Sequence, residues 1–261
     1  MKGRRTPRRH EVIARRASRD ILETYPRVLG VFLDGSVGRG EPGPYSDIDL
    51  MVIVRGKPPR WFSRLDSGIL VTVGFSTPAK YRAALRNPQE FLWSRGGARS
   101  ARILHDTNDL LRKLRRERLR AEFPPRLQER LLASMYEEII EYAGKLRNGH
   151  ARRNTYLMRY AARVIAGFAE TAVLGLNDLS PPTENVLWRV VSSARRKPRH
   201  LSVDYPVAAG LRGTVGTDRV YRAALRLTRE TLRLIRETYV GRARIAWFRE
   251  LLAQPLESVD L

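Results

Sequence analysis

Hydrophobic and polar positions change rhythm along this chain near residue 124: short apolar runs between turn residues give way to apolar residues at helical spacing. Glu11 to Tyr25 sets Ile13, Ala17, Ile21 and Leu22 on one face with arginines opposite, which predicts an amphipathic helix closed by Pro26. A first core strand is expected at Val28 to Asp34, ending at Gly35-Ser36. Pro42 and Pro44 keep the loop from Gly40 to Tyr45 out of any helix. Asp47-Ile48-Asp49 opens a second strand whose apolar run is Leu50 to Val54. Gly56 to Pro59 reads as a turn, Trp61 to Leu65 as a short connector, and Asp66-Ser67-Gly68 as a hairpin turn into a third strand, Ile69 to Phe75. Thr77 caps a helix that has Pro78 at its first position and runs to Leu85. Ala101 to His105 predicts a fourth strand, and Asp109 to Arg120 a strongly basic helix.

Pro124-Pro125 marks the expected domain boundary. Beyond it, Leu127 to Leu146, Arg153 to Leu174, Glu184 to Arg195 and Arg219 to Tyr239 all carry the helical period, while Pro198 to Gly213 has no legible pattern. The expected organisation is a disordered basic tail at 1–10, an α/β (α+β) domain with a short mixed sheet at 11–123, and an all-α helical bundle at 124–261.

Composition narrows the function classes. The chain has 261 residues, 43% of them hydrophobic and 29% charged, as a globular protein does. Without cysteine it has no disulfide, thiolate metal site or cysteine nucleophile. No apolar run reaches bilayer length and the basic N-terminus lacks the apolar core of a signal peptide, so a cytoplasmic location with no membrane partner is expected. The net charge of +22 is mostly arginine spread along the chain. That pattern fits an RNA-binding surface and equally the solvated surface of a thermophile protein.

Two carboxylates on one strand face supply the candidate chemistry. Successive strand side chains alternate, so Asp47 and Asp49 share a face while Ile48 turns into the core. Adjacent carboxylates repel unless a cation separates them, and hard oxygen donors suit Mg²⁺ or Mn²⁺. Gly35, Gly38 and Gly40 let the backbone approach an anion closely, with a hydroxyl from Ser36 and a fork of donors from Arg39. The combination reads as a site for a metal and a triphosphate. Other chemistries find no support. Gly38, Gly40 and Gly43 spell a dinucleotide fingerprint, but the prolines forbid the helix it requires. His10, His105, His150 and His200 lack zinc spacing, and no nucleophile elbow occurs.

A Gly-Ser turn followed by Asp-x-Asp on the next strand resembles the nucleotidyltransferase superfamily that includes DNA polymerase beta. Within it, GSVGRGEPGPYSDIDLMV is similar to the kanamycin-type aminoglycoside nucleotidyltransferases. A second string, EYAGKLRN from Glu141 to Asn148, resembles the start of that family's helical domain. The resemblance runs from residue 28 to residue 175. It implies transfer of a nucleoside monophosphate from a metal-bound NTP, with ATP the leading choice, to a hydroxyl acceptor, and release of pyrophosphate. It also implies Asp47 and Asp49 as metal ligands, and Gly35, Ser36, Arg39, Ser46 and Lys145 as nucleotide contacts. Glu141 would be the general base, with Glu137 and Glu138 as fallbacks, and the protein a homodimer. A helical Glu-Lys pair four apart is also the ordinary stabilising surface pair. The family carries a third carboxylate on the strand after the Asp pair, where this chain has Thr72. That departure leaves room for a degenerate nucleotide- or RNA-binding member, while the acceptor could be a small molecule, RNA or a protein side chain.

Overall fold

The structure is a computed structural model that describes residues 5–255. The chain divides into two compact units, one running up to Glu122 and taking back Ser180–Glu184, the other formed by Phe123–Leu179 and the chain from Asn185 onward.

The first unit is a five-stranded mixed sheet between helices. Its strands are β1 (Val28–Leu33), β2 (Ile48–Val54), β3 (Phe62–Asp66), β4 (Ile69–Ser76) and β5 (Arg102–Asp106), in the order β3-β4-β2-β1-β5. Only the β2–β4 pair is parallel, with Asp49 opposite Thr72 and Met51 opposite Gly74. The alternation of β2 sorts its side chains between two cores. Helix α1 (Arg5–Thr24) lays Ile13, Ala14, Ala17 and Ile21 on the face formed by Val31, Leu33, Leu50, Val52 and Val73. On the opposite face Phe32 and Ile53 pack with Tyr81, Ala101, Leu111 and Leu114. Tyr81 comes from α3 (Pro78–Ala83), Leu111 and Leu114 from α5 (Leu110–Arg120), and Ala101 directly follows α4 (Pro88–Ser100); the five-residue α2 (Gly35–Arg39) follows β1.

The expected tail at 1–10 is corrected here. Residues 5–10 are the first turns of α1, and His10 is buried at 1% exposure; residues 1–4 lie outside the described residues. Arginines hid this extension, because their long stems allow a helix whose outer face is charged throughout. The segment Trp61 to Leu65, expected as a connector, contributes β3, an edge strand whose exposed residues lack the apolar signal of a core strand. Asn87 caps α4, accepting from Gln89 and Glu90 N–H, which the sequence reading left unassigned.

The second unit is helical. Its elements are α6 (Pro125–Ala151), α7 (Thr155–Leu176), α8 (Leu187–Ser192), α9 (Leu201–Ala208), α10 (Thr217–Tyr239) and α11 (Ala246–Ala253), and no strand occurs among its described residues. Leu132, Tyr136, Ile139, Ala172, Leu232, Ile235 and Phe248 share its core. The expected single helix from Glu184 to Arg195 is instead a 3₁₀ turn followed by α8, and the unassigned stretch from Pro198 contains α9. Residues 256–261 lie outside the described residues. No helix among the described residues is long and apolar enough to cross a membrane.

Candidate active site

Asp34 ends β1 and begins the turn that builds the site. Its backbone N–H donates to the carbonyl of Asp49 at 2.9 Å, so the strand pairing continues one residue beyond β1. Its Oδ1 accepts the Gly35 N–H at 2.9 Å and caps α2. The glycine-rich turn is therefore a short helix. Gly35 has φ of +65°, and a Cβ there would stand 2.8 Å from Asp49 Oδ2. A side chain at 35 would be strained by its backbone and would displace the carboxylate above it. Gly38 is needed for closeness instead: a Cβ would lie 2.4 Å from the Leu33 carbonyl oxygen.

The loop after α2 is organised by Ser46. Its Oγ accepts from the Ser36 hydroxyl at 2.8 Å and from Gly43 N–H at 2.9 Å, and its own N–H donates to Gly43 O at 3.3 Å. Asp47 follows directly and is exposed; Ile48 is buried and Asp49 half-buried at the start of β2. The structure thus brings Gly35, Ser36, Arg39, Ser46, Asp47 and Asp49 together in the first unit. Arg39 donates to the Pro182 carbonyl at 3.4 Å and stands 3.8 Å from Glu41. Glu141 and Lys145 belong to α6 in the second unit, where they form an exposed ion pair at 2.6 Å with the ammonium 3.9 Å from the centre of the Tyr142 ring.

Electrostatics set the acids apart. Burial pushes Asp49 up to about 6, and the charges of Asp47 and Asp34 push the same way. Burial also raises Asp34, opposed by the Gly35 N–H and by the Arg118 and Arg39 guanidinium groups. Such crowding of negative charge is what a divalent cation relieves, and two aspartates are a fitting donor set for Mg²⁺ or Mn²⁺ completed by phosphate oxygens. Among the described residues no cluster of three or more His, Cys, Asp or Glu could hold a metal ion by itself.

Thr72 stands directly opposite Asp49 across the parallel pair, and its hydroxyl lies 3.2 Å from that of Ser63. The position beside the aspartate on β4 therefore carries no charge. Sequence reasoning missed Asp34, which lies on the other neighbouring strand; an acid immediately before Gly-Ser was the signal that could have found it. It also missed a cavity of about 680 Å³ that opens beside Gly35 and Arg39 and is lined by Asp34, Tyr81, Trp93 and Arg118. Arg118 stacks 3.5 Å above the centre of the Tyr81 ring and donates to the Tyr81 carbonyl at 2.7 Å.

Residues 15–134 match the family model of the nucleotidyltransferase domain. No curated protein matches the chain significantly. Among solved structures, a nucleotidyltransferase-like protein from Exiguobacterium sibiricum shares the fold at a TM-score of 0.51 and 15% identity, over 84% of this chain and 74% of that one. The likeness extends past the sheet into the helical region, as the expected fold class requires. Gly35, Ser36, Asp47 and Asp49 all lie within the stretch that matches the nucleotidyltransferase-domain model.

Proposed function

We propose that this protein transfers a nucleoside monophosphate from a magnesium- or manganese-bound NTP, with ATP as the leading donor, to a hydroxyl acceptor. The observation that supports the reading is the closeness of Asp49 to Gly35, which itself lines a cavity large enough for a small molecule, with the charge of Asp47 felt at Asp49. Asp47 and Asp49 would hold the cation. When bound, it would neutralise charge developing on the phosphate oxygens. Ser36, Ser46 and Arg39 would orient the phosphate chain, so that the acceptor oxygen attacks the α-phosphorus in line and pyrophosphate leaves. Lys145 would contact phosphate and Glu141 would accept the hydroxyl proton, a role their exposure on α6 leaves open to a substrate. The kanamycin-type likeness of the motif supports a homodimer; the +22 charge supports RNA as one acceptor among small molecules and protein side chains.

Calorimetry of ATP binding with and without Mg²⁺, for wild type and for an Asp47→Asn/Asp49→Asn variant, tests the reading. Magnesium-dependent binding that the variant loses supports it. Absence of binding across all four NTPs, with Mn²⁺ as well, overturns it. Thr72 favours a second reading, a nucleotide-binding member that does not transfer: it predicts tight binding with no pyrophosphate release.

A further inference from the structure

The Asp47 side of the site is held from a place outside the nucleotide-binding motif. His10, on the second turn of α1, is 1% exposed, and its Nε2 lies 3.0 Å from the carbonyl oxygen of Ser46. A carbonyl can only accept, so Nε2 carries the hydrogen and the imidazole is the donor. With this bond every polar group of Ser46 is engaged: its N–H and Oγ with Gly43, its Oγ with Ser36, and its carbonyl with His10. The Ser46 carbonyl and the Asp47 N–H belong to one planar peptide unit, so fixing the orientation of the first fixes that of the second. The loop needs such a tether. Residues 40–47 contain neither helix nor strand, and Asp47 precedes β2 with its side chain exposed. Helix α1 is itself anchored to the sheet by Ile13, Ala17 and Ile21, so the imidazole is a rigid post.

We propose that His10 is a positioning residue for the metal site, orienting the Ser46–Asp47 peptide so that the Asp47 carboxylate is held near Asp49, where the two would hold a divalent cation. The proposal rests on the reading of Asp47 and Asp49 as metal carboxylates. A hydrogen bond one step removed from a ligand has a measurable effect on metal affinity, because a mobile ligand must be ordered on binding.

The test is calorimetry on the full chain with ATP as the probe, in Mg²⁺ and in EDTA, for wild type, His10→Ala and His10→Gln, with a melting curve for each. The glutamine amide can donate from near the Nε2 position, so it serves as the conservative variant. The expected result is a loss of about tenfold in magnesium-dependent affinity for His10→Ala. Binding in EDTA should stay unchanged and His10→Gln should regain most of the loss. Wild-type affinity in His10→Ala overturns the proposal. So do equal losses with and without Mg²⁺ that track the melting temperature, since these mark a purely structural role. If His10→Ala does not fold, His10→Asn takes its place, keeping a donor that stops short of the carbonyl. Wild type that binds no ATP in Mg²⁺ overturns the functional reading itself, a result distinct from any difference between variants.

Discussion

The backbone N–H of Asp34 donates to the carbonyl of Asp49 at 2.9 Å, and this sets an acid on β1 next to the aspartate of β2. On the other side of Asp49, across the parallel pair, stands Thr72. The negative charge around Asp49 therefore comes from Asp47, just before β2, and from Asp34, just after β1, with none from β4. Asp34 is engaged at the Gly35 N–H through Oδ1, while Oδ2 has no hydrogen-bond partner among the described residues. Asp34 also lines the cavity.

Asp49 makes stability depend on pH in an unusual direction. Its native value is pushed up to about 6, above that of an unfolded aspartate, so between the two values the native state binds more protons than the unfolded chain. Stability then falls as pH rises from 4 toward 6 and stays lower at neutral pH. Partial exposure to solvent limits the effect to about 1 kcal/mol. Asp49→Asn should raise the melting temperature at pH 7.5 and flatten its change between pH 4 and 6, as read by differential scanning calorimetry. A variant with the wild-type slope would assign the pH dependence to other groups.

The same titration acts on ligand binding. Metal and nucleotide require Asp49 ionised, so affinity for ATP in Mg²⁺ should fall about tenfold per pH unit once the pH drops below 6. Calorimetry at pH 5, 6 and 7.5 reads this directly. In Asp47→Asn, where one of the two repelling carboxylates is gone, the break should move to lower pH.

Asp34 has separable roles as a helix cap and as a charge. Asp34→Ala removes the oxygen that accepts the Gly35 N–H and should cost about 1 kcal/mol. Asp34→Asn retains that acceptor while removing the charge beside Asp49, so it should be no less stable than wild type at pH 7.5. Urea melts of both variants decide the matter; equal losses would mean that the carboxylate charge, and not the cap, stabilises the turn.

Restoring an acid beside Asp49 tests what Thr72 changes. Thr72→Asp would place a carboxylate at the register position opposite Asp49, where it adds repulsion in the metal-free protein. Its melting temperature should drop by about 2–4 °C, and Mn²⁺ should return more of the loss than it adds to wild type. Thermal melts with and without Mn²⁺ measure both terms. An equal Mn²⁺-induced rise in melting temperature for the two proteins would place residue 72 away from the cation.

The helical unit offers a prediction that depends on which partner is removed. Arg226 holds Asp204 through two bonds, 3.0 Å from Nε and 2.6 Å from Nη2; the Asp204 side chain is 2% exposed and that of Arg226 46%. Arg226→Ala leaves a buried carboxylate unpaired and should cost about 3–5 kcal/mol. Asp204→Asn frees an arginine that can turn to water, so it should cost clearly less. Chemical denaturation of the two variants in parallel checks the order.

Much of the site was legible before any fold was known. The alternation of Asp47, Ile48 and Asp49 is a local property of a strand, and the change of period near Pro124 is a property of neighbouring residues, so both can be read along the chain. The sheet unit and the helical unit followed from those periods, although β3 and α9 did not, because an edge strand and a short helix bury too little to show a pattern. Tertiary structure decided three things at the site itself. It set Asp34 beside Asp49, through a pairing between segments fifteen residues apart in sequence. It brought His10, in a stretch read as tail, against Ser46. It also built the cavity wall, with Tyr81 and Arg118 from two separate helices. Each depends on how strands order and helices dock. Periodicity fixes which face of an element is apolar but not which other element covers it, and this pairing is what packing decides.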